Sequence, residues 1–209
     1  MRRAEIDEQN QWMLKRQREF RMAADVVTGA WMKFAEVQAV AVIGSVAKPL
    51  WKEIPRFSPF RRSGIEIWHE CGDLDLALWA DSQGRLGEIR RAADRALRNA
   101  FEAGAGISVV SHQLDVFLIE PGTDRYLGRL CSFNQCPKDK PACFVPGCGD
   151  IPFNKRIDGF TPYVDLLAPA LHAMLYERGA GRLRSALDLP GVEEESASSK
   201  RVSPDKKSG

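Results

Sequence analysis

A chain of 209 residues with 30 Lys and Arg against 28 Asp and Glu, 44% apolar side chains and 5 Cys has the composition of one globular domain. Folding at this length buries roughly 70% of the surface of the unfolded chain, so a core forms without disulfide staples and disorder throughout is excluded. The formal net charge of +2 signals neither an anionic membrane surface nor the extended nucleic-acid interface that would neutralise many phosphates.

The charged N-terminus, Met1-Arg2-Arg3-Ala4-Glu5, lacks the apolar stretch of about 7 to 15 residues found in a secretion signal. No window reaches the roughly 18 apolar residues of a membrane span, and a cytoplasmic location is the expectation. Residues 1–36 carry Ile6, Met13, Leu14, Phe20, Val26, Val27, Trp31 and Phe34 among many charges, which predicts an N-terminal segment of one or two amphipathic helices. Trp12, Phe20, Trp31 and Phe34 suit either packing on the core or a dimer face. Residues 37–120 read as the core. Val37 to Ile43 (VQAVAVI) is a short, largely β-branched apolar run that predicts a buried strand ending at Gly44-Ser45. Residues 46–70, with Pro49, Pro55 and Pro59, predict a loop holding a short helix near Leu50 to Glu53. Leu74, Leu76 and Leu78 alternate with Asp73, Asp75 and Ala77, the period of a strand with one face in a core.

After Asp81 and Ser82 as candidate caps, Leu86, Ile89, Ala93, Leu97 and Phe101 recur at helical spacing until Gly104 and Gly106. Val109 to Glu120 predicts a third strand, with Asp115 on its less apolar face. Residues 121–160, rich in Gly, Pro and Cys, predict a cysteine-rich loop. Thr161-Pro162 opens an expected C-terminal helical segment, 161–190, broken near Pro169. Residues 191–209 have no apolar periodicity and predict a disordered tail. The fold class expected is α/β (α+β): a small mixed β-sheet flanked by helices, with a cysteine-rich insertion.

Asp73 and Asp75 stand at i and i+2 of one strand and therefore share a face. With Asp115 on a neighbouring strand they offer three hard oxygen donors, the ligand type magnesium takes alongside substrate phosphates. Glycine at position 44 permits close approach of backbone to a triphosphate, and Ser45 supplies a hydroxyl donor. The bland alternative is that Asp73 and Asp75 cap a strand end while Asp115 is solvated.

The segments AVIGS (41–45), GDLDLAL (72–78) and QLDVFLI (113–119) together resemble the pattern of the nucleotidyltransferase superfamily typified by DNA polymerase beta. That pattern is an apolar strand, a Gly-Ser turn, Asp-x-Asp on the next strand and a later third acid. The resemblance covers roughly residues 37–120. It implies a nucleotidyltransferase-like fold, triphosphate contact at Gly44 and Ser45, magnesium at Asp73, Asp75 and Asp115, and acceptor activation by Asp115. Between Ser45 and Asp73 lie 27 residues, more than the family's usual dozen or so, and Pro49 interrupts the helix expected after the turn. Segment 48–70 therefore reads as an insertion. Within it Arg56, Arg61, Arg62 and His69 are either phosphate or acceptor contacts or solvated loop residues.

Cys131, Cys136, Cys143 and Cys148 fall as Cys-x4-Cys-x6-Cys-x4-Cys on a turn-rich stretch. In a reduced compartment this suggests a closed, structural zinc site, with disulfides or metal-free thiols as the alternatives. Cys71 stands apart beside the acidic pair and reads as a buried thiol more readily than a nucleophile.

The function expected from the resemblance is a magnesium-dependent nucleotidyltransferase. It would move a nucleoside monophosphate from a nucleoside triphosphate, ATP being the donor many members of that family use, to a hydroxyl of a small molecule or protein, releasing pyrophosphate. A catalytically silent module of the same fold that binds a partner protein, as antitoxin relatives do, is the second reading. A zinc-stabilised nucleic-acid adaptor is the third and least favoured.

Overall fold

The computed structural model describes residues 2–130 and 167–192. Helix α1, Arg3–Trp31, is a single continuous helix. Its buried residues Met13, Gln17, Phe20, Ala24, Val27 and Trp31 recur at intervals of four and three, one stripe along the helix. Phe20 and Trp31 are wholly buried and Phe34 packs against the same core, whereas Trp12 is 46% exposed. Strand β1, Val37–Ile43, follows and runs straight into a four-residue helix, α2, Gly44–Ala47. That helix stops because Lys48 precedes Pro49, and a residue before proline is pushed into extended backbone, here φ −105° and ψ 163°.

The insertion is more ordered than its prolines suggest. β2 (Lys52–Glu53) pairs antiparallel with β3 (Ile67–Trp68), and between them lies α3, Ser58–Ser63. The short helix expected near Leu50 to Glu53 is thus displaced to Ser58–Ser63. Pro59 suits its first turn, where the missing N–H costs nothing, and Gly64 closes it in the left-handed region. Strand β4, Leu74–Ala80, and helix α4, Leu86–Glu102, lie where the periodicity puts them, but the residue capping α4 is Arg85, without a side-chain cap bond, and not Asp81 or Ser82. β5, Leu114–Ile119, is shorter than expected, because Ser111–Gln113 forms a 3-10 turn ahead of it.

Among the described residues the main sheet has six strands in the order β6-β5-β4-β1-β7-β8. β6 is Tyr126–Leu130, β7 is His172–Glu177 and β8 is Gly181–Arg182. β4 and β5 are parallel, joined through the crossover helix α4, and the other pairs are antiparallel. The architecture is therefore mixed α/β, as expected. One face of the sheet (Val40, Val42, Leu74, Leu76, Leu78, Val116, Leu118) packs with α1 and α4 into the main core. The indole N–H of Trp31 donates to the Ile89 carbonyl at 2.9 Å and pins the two helices together. The other face holds a smaller apolar cluster, Ala41, Ile43, Ala77, Trp79 and Ile119, joined by Phe117, Leu167 and Met174.

Two expected segments are corrected. The helical segment 161–190 is, over its described part, the β7–β8 hairpin followed by a 3-10 turn at Ala186–Asp188. His172 to Glu177 consists largely of good helix formers, but β1 offers an unpaired edge and the ladder with Ile43 to Ala39 overrides propensity. The loop 121–160 begins with strand β6 paired to β5. Residues 131–166, with all four clustered cysteines, lie outside the described residues.

Of the expected tail, Gly191 and Val192 are in place. Gly191 accepts from the Leu50 amide at 3.0 Å, Val192 bridges to Leu50, and 193–209 lies outside the described residues. Arg21, only 4% exposed, donates to the carbonyls of Val46, Lys48, Leu189 and Pro190 at 2.7–3.1 Å. Buried charge of this kind is tolerated because every acceptor is a backbone dipole that also needs a partner. Among the described residues no helix is long and apolar enough to cross a membrane.

Candidate functional site

Strand register brings the sequence-separated acids together. Asp75 on β4 is directly opposite Asp115 on the parallel β5, and on its other side opposite Ile43, the last residue of β1. Ile43 in turn faces His172 on β7. Directly opposed residues project to the same side of a sheet, so Asp115, Asp75, Ile43 and His172 form one row across four strands. The row belongs to the face with the smaller cluster, away from α1 and α4. Asp73 lies just before β4 and is exposed, and its charge acts on Asp75.

The turn after β1 is shaped around Asp75. Gly44 has φ +69°, and a Cβ there would lie 2.8 Å from Asp75 Oδ2, so both backbone and space demand glycine. The Gly44 amide, expected to face a triphosphate, donates instead to the Leu171 carbonyl at 2.9 Å and joins the turn to the start of β7. Ser45 hydrogen-bonds the Cys71 thiol. Burial pushes that thiol up to about 11 despite the help from Ser45, which makes Cys71 an unreactive, structural thiol.

Asp75 is the most perturbed group of the row. Burial, then the charges of Asp73 and Asp115, push its carboxyl up to about 7, against an opposing pull from Arg129. Arg129, on β6, pairs opposite Phe117, and its Nη2 donates to Asp115 Oδ1 in an ion pair with both side chains under 20% exposed. Oxygen donors whose charges crowd Asp75 in this way are of the type a hard divalent cation takes. Asp73, Asp75 and Asp115 supply hard carboxylate oxygens, the donor type magnesium takes. Their side-chain arrangement is not a ready-made cage: among the described residues no group of three or more His, Cys, Asp or Glu is gathered to hold a metal ion.

The insertion residues divide. Arg56, Arg61 and Arg62 are exposed. His69 stacks on Trp51 with ring centres 3.7 Å apart, and its Nδ1 lies 3.1 Å from Glu53 Oε2, which also accepts from the Trp51 indole. Lys48 covers the Trp51 ring at 3.7 Å. His69 is thus part of the insertion's own packing rather than a contact held out for phosphate.

Sequence reasoning missed Arg129 altogether. The signal was a hairpin: the turn residues Pro121-Gly122-Thr123-Asp124 directly after the third strand, followed by Tyr126 to Leu130. His172 was also missed as a member of the row; its Nδ1 is 2.9 Å from the Ala168 carbonyl. At the other end of the same face, roughly 14 Å along β4 from Asp75, Ala39, Trp79, Thr123, Met174 and Arg178 line an open cavity of about 510 Å³.

Comparison with known proteins finds no matching family model, no matching curated protein and no matching solved structure.

Proposed function

We propose that the chain is a magnesium-dependent nucleotidyltransferase that transfers a nucleoside monophosphate from a nucleoside triphosphate, ATP first among candidates, to a hydroxyl of a small molecule or protein, with release of pyrophosphate. The observation that carries the reading is the pairing of Asp75 with Asp115 in register on parallel strands, with Gly44 packed against Asp75. The chain order agrees with it: α1, β1 with its Gly44-Ser45 turn, β4 with Asp73 and Asp75, the crossover α4, then β5 with Asp115.

Asp73, Asp75 and Asp115 would hold magnesium, which when bound supplies charge neutralisation at the triphosphate and at the departing pyrophosphate. Gly44 leaves the space that lets Asp75 Oδ2 approach the turn. Asp115, the in-register neighbour of Asp75, is the residue assigned to accept the proton of the attacking hydroxyl. Attack on the α-phosphorus opens the α–β phosphoanhydride bond, and the pyrophosphate departs with its electron pair. Zinc at Cys131, Cys136, Cys143 and Cys148 is part of the proposal as a structural metal, checked by metal analysis of the purified protein.

The test is thermal stability with and without magnesium plus each nucleoside triphosphate, on the native chain and on Asp73→Asn/Asp75→Asn. A ligand at about 100 times its Kd adds about 2.7 kcal/mol. A magnesium-dependent shift in the native chain only is the expected result. Absence of a shift with every nucleotide sinks the proposal.

The second reading, a silent module that binds a partner protein, is favoured by two observations: Arg129 occupies Asp115, and the Gly44 amide is committed to Leu171. A silent module has no reason to keep magnesium-dependent nucleotide binding, so the same experiment separates the two.

A further inference from the structure

We propose that Arg129 is a working residue of the carboxylate row: it holds Asp115 where a divalent cation would otherwise bind, so that the Arg129–Asp115 pair and cation binding exclude one another. The proposal rests on the reading of the row as a cation site given above.

The argument starts from the sheet. β6 runs antiparallel to β5 with Arg129 opposite Phe117, and Phe117 is two residues from Asp115 on the same face. Arg129 therefore projects to the side on which the carboxylates stand, and it reaches diagonally to Asp115 Oδ1. Both side chains are largely withdrawn from solvent, at 18% and 19% exposure. Screening is weak there, and a charge placed beside the pair is felt strongly.

Asp115 is the in-register neighbour of Asp75. A cation shared by these two carboxylates would stand beside a guanidinium already bonded to one of its donors. Either the guanidinium leaves Asp115 or the two positive charges are held together at a cost. In both cases the pair weakens cation binding, and by linkage the cation weakens the pair to the same degree. Arginine suits the role, since it stays charged at every relevant pH and its guanidinium holds a carboxylate oxygen that a cation would need. The row would then hold a positively charged group at all times: the side chain at rest, and the metal when nucleotide brings it. A site of this kind takes up magnesium readily only together with the anionic triphosphate, whose charge offsets the displaced guanidinium.

The experiment is a titration of the full chain with Mn²⁺ alone, without nucleotide, at about pH 8.5 so that the carboxylates are ionised. Free Mn²⁺ is followed by electron paramagnetic resonance. Binding elsewhere on the chain is subtracted with an Asp75→Asn/Asp115→Asn variant. Arg129→Gln is expected to bind Mn²⁺ about tenfold more tightly than the native chain, and Arg129→Lys to fall between them. Loss of a structural contact alone would not produce tighter binding.

Unchanged or weaker carboxylate-dependent affinity in Arg129→Gln overturns the exclusion while leaving the cation site standing. Absence of carboxylate-dependent Mn²⁺ binding in all these proteins overturns both. Should Arg129→Gln fail to fold, the native chain gives an independent answer through the Arg129 side-chain N–H resonances. Loss of their hydrogen-bonded shift on addition of Mg²⁺ is expected, and an unmoved resonance at saturating Mg²⁺ refutes exclusion.

Discussion

The two faces of the sheet are built from the same strands and do opposite things. Toward α1 and α4, Val40, Val42, Leu74, Leu76, Leu78, Val116 and Leu118 are sealed in an apolar core. On the other side a smaller apolar patch ends in Asp75 and Asp115, with Gly44 held against one and Arg129 bonded to the other. The first face stabilises the molecule. On the second, stability is given up, because a buried carboxyl pushed up to about 7 is held in an environment that disfavours its charge. Strand alternation makes this possible: every second residue faces α1 and α4, and the intervening ones form the smaller cluster and carry the carboxylates.

Substitutions on the two faces should therefore have effects of opposite sign. The largest loss is expected from the core side, where Leu76→Ala leaves a cavity and costs about 2 to 5 kcal/mol. Denaturant unfolding checks this, and a loss below 1 kcal/mol would show that the sheet is not anchored through this face. Gly44→Ala, at the boundary, must adopt positive φ and also meets Asp75. It should cost roughly 2 kcal/mol and lower the Tm by several degrees.

On the carboxylate face the sign reverses. Asp75 binds its proton more tightly folded than unfolded, so between the usual carboxylate range and about 7 the folded state holds more protons and stability falls as pH rises. Asp75→Asn should remove that slope and leave the protein more stable than the native chain at pH 8 by about 1 to 3 kcal/mol. Unfolding at pH 5 and pH 8 in both proteins provides the check, and parallel curves would contradict the burial of this charge. The smallest effect is expected from exposed Arg62 on α3, where Arg62→Ala should alter stability by less than about 0.5 kcal/mol. A larger loss in urea unfolding would place this side chain in packing that its exposure does not indicate.

What was legible in the sequence follows the same division. β1, β4 and α4 are written in their own residues: a β-branched run, a strict alternation and a helical repeat that ends at glycines. Asp73, Asp75 and Asp115 could be proposed as neighbours because strand periodicity and a family pattern act together. β7 was not legible, since His172 to Glu177 has the composition of a helix and becomes a strand only because β1 has a free edge. Arg129 was hidden because Gly, Pro and Cys nearby made the whole stretch look like loop. The role of Arg21 depends on four carbonyls far apart in sequence, and no local pattern announces it.

That arginine also ties together the fates of distant parts of the chain. Its guanidinium grips the turn following β1 and the residues just before Gly191, while the Leu50 amide is closed off by Gly191 itself. The start of the insertion and the last described residues should consequently open as one unit. Hydrogen exchange would read this directly: the Leu50 amide reports whether the C-terminal strap is docked. A proteolytic cut ahead of Leu189 should unprotect Leu50, some 140 residues away in sequence, well before the central strands lose any protection.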